Sequence, residues 1–184
     1  MEMNKVLENR RCTRKFKDKR VSEKDVLSIM DSALKAPCSG GIFSVRLILV
    51  DDKEQKNKVA EACLGQDFIA RAPYVIVTCS ERKQTEKMYG KFSSTYLRQQ
   101  AGAAMENMFL KAVDLGLSAC WVGGLDDKAI KRILEIPEDV DVEAVMPIGY
   151  ADEKPGERFK PELFMVSRFN SYKKKASVKK KIVS

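Results

Sequence analysis

The longest regular pattern in the chain is an apolar stripe at helical spacing over about Leu97 to Leu115. Its members are Leu97, Ala101, Ala104, Met105, Met108, Ala112 and Leu115. Side chains three and four residues apart share one face of a helix, and Gly116 is the residue type that commonly follows a helix end. The small residues from Ala101 to Ala104 allow another helix to approach closely. That approach fits ordinary core packing or a dimer interface, and the sequence leaves both open.

Shorter elements surround this helix and predict the rest of the fold. Ser22, with Asp25 three residues later, resembles a capping box, and the helix that follows is stopped by Pro37. Runs of branched apolar residues predict strands at 45–50, 74–79, 118–122 and 140–150, and further helices are expected over 53–63 and after Asp126 or Asp127. Those two aspartates suit helix caps better than catalytic acids. Helices and strands that mix without strict alternation predict one sheet flanked by helices.

Two stretches lack such patterns. Residues 81–95 are polar and weakly patterned, which predicts a flexible excursion, and no compact element is expected between Ala151 and the C-terminal tail. The chain of 184 residues, with 44% hydrophobic residues, is long enough for one domain with a real core.

The composition bounds the class of protein. No run approaches 18 apolar residues, so no membrane span is predicted, and the first eight residues lack the apolar segment of a secretory signal. The five cysteines include no CxxC spacing, which argues against a disulfide framework, a thioredoxin-like pair and a zinc site. A reducing cytoplasm is the expected location.

The net charge of +8 arises mainly at the C-terminus, where six lysines lie at positions 173, 174, 175, 179, 180 and 181. Without them the chain has 28 basic and 26 acidic residues and is close to neutral. The tail, 173–184, is predicted to be a disordered, solubilising end. The alternative is an anionic-surface binder that works by counterion release, but no motif for specific nucleic-acid binding is present.

The chain contains no histidine. This excludes Ser-His-Asp and Cys-His nucleophile systems and the usual histidine-rich metal sites. We therefore predict no catalytic side chain and no metal ligand, and an enzyme built on this chain needs a cofactor for its chemistry.

A basic cluster precedes the first long helix. Residues 10–15 contain three arginines and a lysine, and Phe16 follows them. A guanidinium offers five donors in a planar fork, so closely spaced arginines suit a phosphate group. The alternative is a solvated basic stretch near a chain end.

In their order along the chain, several segments resemble the FMN-dependent nitroreductase family. They are Arg10-Arg11-Cys12-Thr13-Arg14-Lys15-Phe16, Ala36-Pro37-Cys38-Ser39-Gly40, Ala72-Pro73-Tyr74-Val75-Ile76-Val77, Gly116-Leu117-Ser118-Ala119-Cys120-Trp121-Val122-Gly123-Gly124, and Gly149-Tyr150 with Arg158 and Lys160. The resemblance covers about residues 3 to 172. It implies an α+β sandwich with a central mixed sheet flanked by helices, working as an intertwined homodimer with FMN between the subunits. Residues 1–172 would form a single flavin-binding domain ahead of the basic tail, 173–184.

The resemblance also assigns residues to the cofactor. It implies that the phosphate and ribityl end is held by Arg10, Arg11, Cys12, Arg14, Arg158 and Lys160. The partner subunit would contribute Pro37, Cys38 and Ser39. Trp121, Val122, Gly123 and Gly124 would run along the flavin ring, with a backbone N–H of Gly123 or Gly124 directed at N5.

Several positions depart from the family pattern or leave alternatives open. Cys12 stands where the family has a serine, and we expect a weaker hydrogen-bond donor there with FMN affinity retained. Gly41 and Phe43 replace a usual polar pair, and Phe43 fits either a hydrophobic lid or the core. Trp121 fits either the core or a flavin wall. For Cys12, Cys38 and Cys120, buried packing is favoured over a redox role.

The function that the resemblance implies is an NAD(P)H oxidoreductase. Hydride would pass from the nicotinamide to flavin N5 and then to an acceptor such as a nitroaromatic or a quinone. The alternatives are a specialised flavin chemistry on the same fold (flavin breakdown, dehalogenation or peptide dehydrogenation) and the non-enzymatic basic-tailed binder.

Overall fold

Four strands form one antiparallel sheet in the spatial order β1-β2-β4-β3. In the computed structural model, which describes residues 1–154, 156 and 160–174, these strands are β1 (Val45–Val50), β2 (Tyr74–Glu81), β3 (Ser118–Ala119) and β4 (Val140–Gly149). The ladder between β2 and β4 shifts register between Thr78 and Cys79. The predicted α+β class is confirmed. All strand pairs are antiparallel, and among the described residues the only parallel pairing is the single bridge Cys12–Ala119.

Helices cover the sheet and connect its strands. They are α1 (Met3–Asn9), α2 (Glu23–Ala33), α3 (Lys53–Ala62), α4 (Phe68–Arg71), α5 (Lys83–Tyr89), α6 (Ser93–Asp114), α7 (Asp127–Leu134) and α8 (Leu163–Val166), with a 3₁₀ turn at Gly90–Phe92. Asp126 caps α7 as predicted, because its Oδ1 accepts a hydrogen bond from the N–H of Ala129 at 3.0 Å. Within the described part of the chain, no helix combines the length and apolarity needed to cross a bilayer.

The sheet separates two hydrophobic cores, because neighbouring residues of a strand point to opposite faces. Ile76 packs on one face with α2 and α6, which we call the α6 face. Val75 and Val77 pack on the other with α3, α4 and α7, which we call the α3 face. The helix that dominates the sequence is therefore the main cover of one whole face.

Helix α6 begins at Ser93, four residues before the predicted start, and ends as expected at a glycine. Gly116 takes a φ of +74°, and the N–H of Leu117 reaches the carbonyl of Ala112 at 2.8 Å. Ala101 and Ala104 are buried in the core of the α6 face. Ordinary core packing therefore accounts for those two small residues.

The prediction of a flexible excursion over residues 81–95 was wrong. This stretch forms α5, the 3₁₀ turn and the start of α6. Its order comes from tertiary contacts that have no sequence period: the buried hydroxyl of Thr85 lies 2.8 Å from that of Ser44, and the rings of Tyr89 and Tyr96 meet edge to face at 4.9 Å.

Two smaller expectations also need correction. The third strand is limited to Ser118–Ala119, and beyond it only the bridge between Val122 and Val145 continues the pairing. The short helix α8 lies in the region after Ala151 where no compact element was expected.

The chain divides into two compact units, Met1–Lys154 and Pro155–Ser184. The first contains both cores. The second contains α8 and a turn in which the N–H of Lys174 reaches the carbonyl of Ser171 at 3.1 Å. The predicted domain over 1–172 stays a prediction, and the tail lies outside the described residues from position 175 onward.

Replacing Met105 with alanine is expected to lower the free energy of unfolding by about 2–5 kcal/mol. The Met105 side chain is fully buried on the α6 face, and its sulfur accepts a hydrogen bond from the buried Thr78 hydroxyl at 2.9 Å. Met88 in α5 is 58% exposed and provides the matched control. Urea denaturation at one protein concentration should place Met88→Ala within about 0.5 kcal/mol of wild type. Equal losses in both variants would contradict the assigned core.

Candidate functional site

The basic cluster lies against the edge strand of the sheet. Cys12 forms the parallel bridge with Ala119, and the N–H of Thr13 donates to the carbonyl of Ala119 at 2.9 Å. This pairing brings residues 10–14 beside residues 119–121, and residues 122–124 follow directly along the chain. Two predicted site segments that are far apart in the sequence therefore meet. We call this group, Arg10 to Arg14 with Cys120 to Gly124, the edge site.

Within the edge site, hydrogen-bond donors and positive charges converge on the sulfur of Cys12. The thiol of Cys120 donates a hydrogen bond to it, the backbone N–H of Trp121 donates a second, and the charges of Arg10 and Arg14 act on it. These interactions outweigh partial burial and lower the pKa of Cys12 to about 5. Cys12 is therefore a thiolate at neutral pH, and its sulfur accepts hydrogen bonds where a weaker donor was expected.

Cys120 has the opposite environment. It is only 1% exposed, and its thiol donates to the Trp121 carbonyl with a sulfur–oxygen distance of 3.9 Å. Interaction with the Cys12 side chain strongly raises its pKa. Burial and the negative charge of Cys12 act in the same direction, and Glu153 adds a smaller effect.

The two flanking arginines are anchored on protein groups near this sulfur. Arg10 lies over the ring of Phe109 at 5.3 Å, and its Nε is 3.4 Å from the Glu106 carboxylate. Arg14 lies 5.9 Å over the ring of Phe68. Aromatic faces hold a guanidinium without neutralising its charge, so Arg14 in particular can still serve an anion.

Arg11 is oriented differently from its neighbours. Its Nη1 donates to the carbonyls of Glu8 and Arg10, at 2.5 and 3.0 Å, and so satisfies backbone groups at the end of α1. Its Nε is buried, and no acceptor for it is found among the described residues. A buried donor without a partner costs free energy and often marks the position of a missing acceptor.

The segment after Cys120 alternates between buried and exposed residues. Val122 is buried by its bridge to Val145, whereas Trp121 is 40% exposed and is not a core residue. Gly123 and Gly124 are exposed, and their N–H groups have no partner within the described ranges. A Cβ added at Gly123 would meet no atom within 4 Å. A Cβ added at Gly124 would lie 3.1 Å from Leu64 Cδ1, so the open space beside the main chain is at Gly123.

The loop with Pro37, Cys38 and Ser39 lies elsewhere in the subunit. It turns back at Gly40 and Gly41, whose φ angles of +57° and +76° favour glycine. Gln100 on α6 fixes this turn, since its Nε2 donates to the carbonyl of Ile42 at 3.1 Å. Among the described residues, no hydrogen bond or ion pair joins the loop to the edge site, and its predicted role at the partner subunit's flavin stays a prediction.

The remaining candidates have mixed outcomes. Lys160 is exposed and belongs to the second unit, and Arg158 lies outside the described residues, so their predicted convergence with Arg14 stays a prediction. Phe43 packs against the core of the α6 face, which supports the core assignment. The described residues contain no cluster of carboxylates and thiols that could hold a metal ion.

The cysteine prediction was wrong in two of three cases. Cys120 is buried, but Cys12 and Cys38 are exposed. No spacing in the sequence indicates that Cys12 lies near Cys120, because their proximity depends on where the N-terminal segment meets the sheet edge. A contact between two distant segments of this kind leaves no periodic pattern in the sequence.

Comparison with known proteins identifies relatives along most of the chain. The model of the nitroreductase family matches residues 7–66 and 63–150. A relative from Archaeoglobus fulgidus is 31% identical over 88% of this chain and 95% of its own length, and one from Methanothermobacter thermautotrophicus is 32% identical over 86% and 82%. Both are provisionally named NADH dehydrogenase/NAD(P)H nitroreductase.

A solved structure from Clostridium difficile R20291, described as an FMN-dependent nitroreductase, superposes with a TM-score of 0.78. It is 28% identical, and the match covers 91% of this chain and 98% of that one. The match therefore spans almost the whole of the solved chain.

We predict that iodoacetamide alkylates the reduced protein at Cys12 with a rate that falls to half near pH 5, because only the thiolate reacts. Mass spectrometry of the peptide 12–14 after timed quenching measures the rate. Cys120→Ala removes the S–H donor and should move the midpoint upward, whereas Cys38→Ser should leave it in place. A wild-type midpoint near the ordinary value of about 8.5 would contradict the assigned environment.

Proposed function

This chain belongs to the nitroreductase family, and on that premise we propose that it is an FMN-dependent oxidoreductase that passes electrons from NAD(P)H to a nitroaromatic or a quinone. The observation that carries the proposal is the edge site itself. It joins the arginine cluster, where a phosphate is expected, to exposed glycine N–H groups and Trp121, where a flat ring is expected.

The residues present fit FMN in three respects. The buried Nε of Arg11 needs an acceptor, which a phosphate oxygen would provide. The Cys12 sulfur already receives hydrogen bonds and the charges of Arg10 and Arg14, so the surroundings stabilise an anion. The open space at Gly123 allows a ring to approach the main chain closely.

When bound, FMN would supply the redox chemistry of hydride transfer. The chain's own residues would bind and orient it. Arg10, Arg11 and Arg14 would neutralise its phosphate, and the N–H groups of Gly123 and Gly124 would provide donors for the ring, where a hydrogen bond favours the reduced state. No side chain is assigned as an acid or a base, so catalysis rests on position and electrostatics.

We place this site in a homodimer, as the family resemblance implies. Pro37, Cys38 and Ser39 lie on a turn that Gln100 holds and that has no hydrogen bond to the edge site among the described residues, so we assign them to the flavin of a second copy. The first unit also exposes large apolar side chains on its first two helices, including Leu7 and Leu27. Exposed apolar surface of this kind supports subunit association.

Arg14→Ala is expected to weaken FMN binding roughly 10- to 150-fold, because a hydrogen bond to a charged group contributes about 1.5–3 kcal/mol. Flavin fluorescence quenching, titrated into protein freed of flavin, measures the dissociation constant. Arg132→Ala on α7, an exposed arginine away from the edge site, is the matched control and should bind like wild type.

Wild-type protein should also gain thermal stability with FMN, by about 2.7 kcal/mol at a concentration one hundred times its dissociation constant. Absence of both flavin colour and stabilisation would refute FMN binding. Equal affinities for Arg14→Ala and wild type would instead remove Arg14 from the phosphate site.

Steady-state assays should show oxidation of NADH or NADPH that depends on added nitroaromatic or quinone. Double-reciprocal plots of initial velocity should give parallel lines when the nicotinamide and the acceptor are varied, since both would occupy the same face of the flavin in turn. An FMN-loaded protein that oxidises neither nicotinamide with any acceptor would contradict this reaction. That result would favour flavin breakdown, dehalogenation or peptide dehydrogenation on the same fold.

A further inference from the structure

Cys12 and Cys120 form an exposed–buried thiol pair that the proposed flavin chemistry does not use. Cys12 is exposed, Cys120 is buried, and each side chain shifts the pKa of the other. We propose that this pair is a reversible oxidation site, in which a hydroperoxide converts the two thiols into an intramolecular Cys12–Cys120 disulfide.

The backbone places the two residues within reach of such a bond. Cys12 pairs with Ala119, the direct neighbour of Cys120, and the hydrogen bond from Thr13 N–H to the Ala119 carbonyl fixes this register at 2.9 Å. Adjacent strands lie about 4.8 Å apart and successive residues about 3.3 Å, which places the two Cα atoms roughly 6 Å apart, within the usual range for disulfides.

The two thiols have different environments, and this difference assigns each of them to a different step of the oxidation. Cys12 is accessible and lies among Arg10, Arg14 and two hydrogen-bond donors, the surroundings of a reactive thiolate. Cys63 and Cys79 are buried, and burial raises their pKa to about 11 and about 12. A peroxide therefore reacts with Cys12 before it reacts with these buried thiols.

The reaction balances in two steps. The Cys12 thiolate attacks the O–O bond of the hydroperoxide, and the products are Cys12 sulfenic acid and an alcohol or water that takes up a proton. The Cys120 sulfur then displaces hydroxide from the Cys12 sulfur, and its own proton leaves with that hydroxide as water. The two thiols lose two electrons and two protons in total, and the peroxide is reduced.

Cys120 becomes a better nucleophile once the first step is complete. Its high pKa comes first from its hydrogen bond to Cys12 and then from burial and the Cys12 charge. Conversion of Cys12 to a neutral sulfenic acid removes the two contributions that depend on its charge. The first oxidation therefore prepares the second thiol, which is the usual order for an attacking and a resolving cysteine.

The test uses the reduced full-length protein, freed of reductant and treated with one equivalent of hydrogen peroxide at neutral pH. We expect the mass to fall by two hydrogens in most chains and the tryptic peptides 12–14 and 112–128 to be linked, since each contains one of the two cysteines. Dithiothreitol should restore the thiols. The link should persist in Cys38→Ser and disappear in Cys12→Ser.

In Cys120→Ala no second thiol can resolve the sulfenic acid of Cys12, so this acid should accumulate and react with dimedone. This variant tests the first step separately from disulfide formation. Over-oxidised Cys12 beside a free Cys120, a link to Cys38 or to a second chain, or an unreacted Cys12 would each overturn it. None of these readouts depends on FMN, so the inference and the proposed function can fail independently.

Discussion

The edge site depends on one pairing at the open side of a two-residue strand. β3 is an edge strand, and an edge leaves backbone groups without partners. The chain fills part of this edge with its own N-terminal segment, through the hydrogen bond from Thr13 to Ala119. Because that segment contains the arginines, satisfying the sheet edge also positions the positive charge. Fold and site are therefore consequences of the same backbone contact.

Local patterns in the sequence predicted those helices and strands that bury one apolar face against the core. The α6 stripe and the branched runs of β1, β2 and β4 were found because each follows the period of its element. The stretch 81–95 was missed because its order rests on single contacts, such as that between Thr85 and Ser44, and these have no period. The segments of the edge site were found from an ordered set of motifs, yet their meeting at Ala119 could not be read from spacing.

The cysteine at position 12 shows how a change of one residue type alters the chemistry of a site. A serine there would be a neutral donor, whereas the Cys12 sulfur acts as an anionic acceptor among Arg10, Arg14, Cys120 and the Trp121 N–H. A folded-state pKa below the ordinary thiol value means that this environment stabilises the fold at high pH. That contribution is lost as the pH falls through about 5, where the thiolate is protonated.

The two proposals meet in the charge balance around Arg10 and Arg14. In the reduced protein the thiolate of Cys12 already uses part of their positive potential, so a phosphate and this sulfur compete for the same cations. Phosphate binding must then raise the pKa of Cys12, and by linkage deprotonation of Cys12 must weaken phosphate binding equally. A Cys12–Cys120 disulfide is neutral and frees both guanidiniums from the thiolate. The oxidation state of one residue pair would thereby set how much positive charge the edge site offers to an anion.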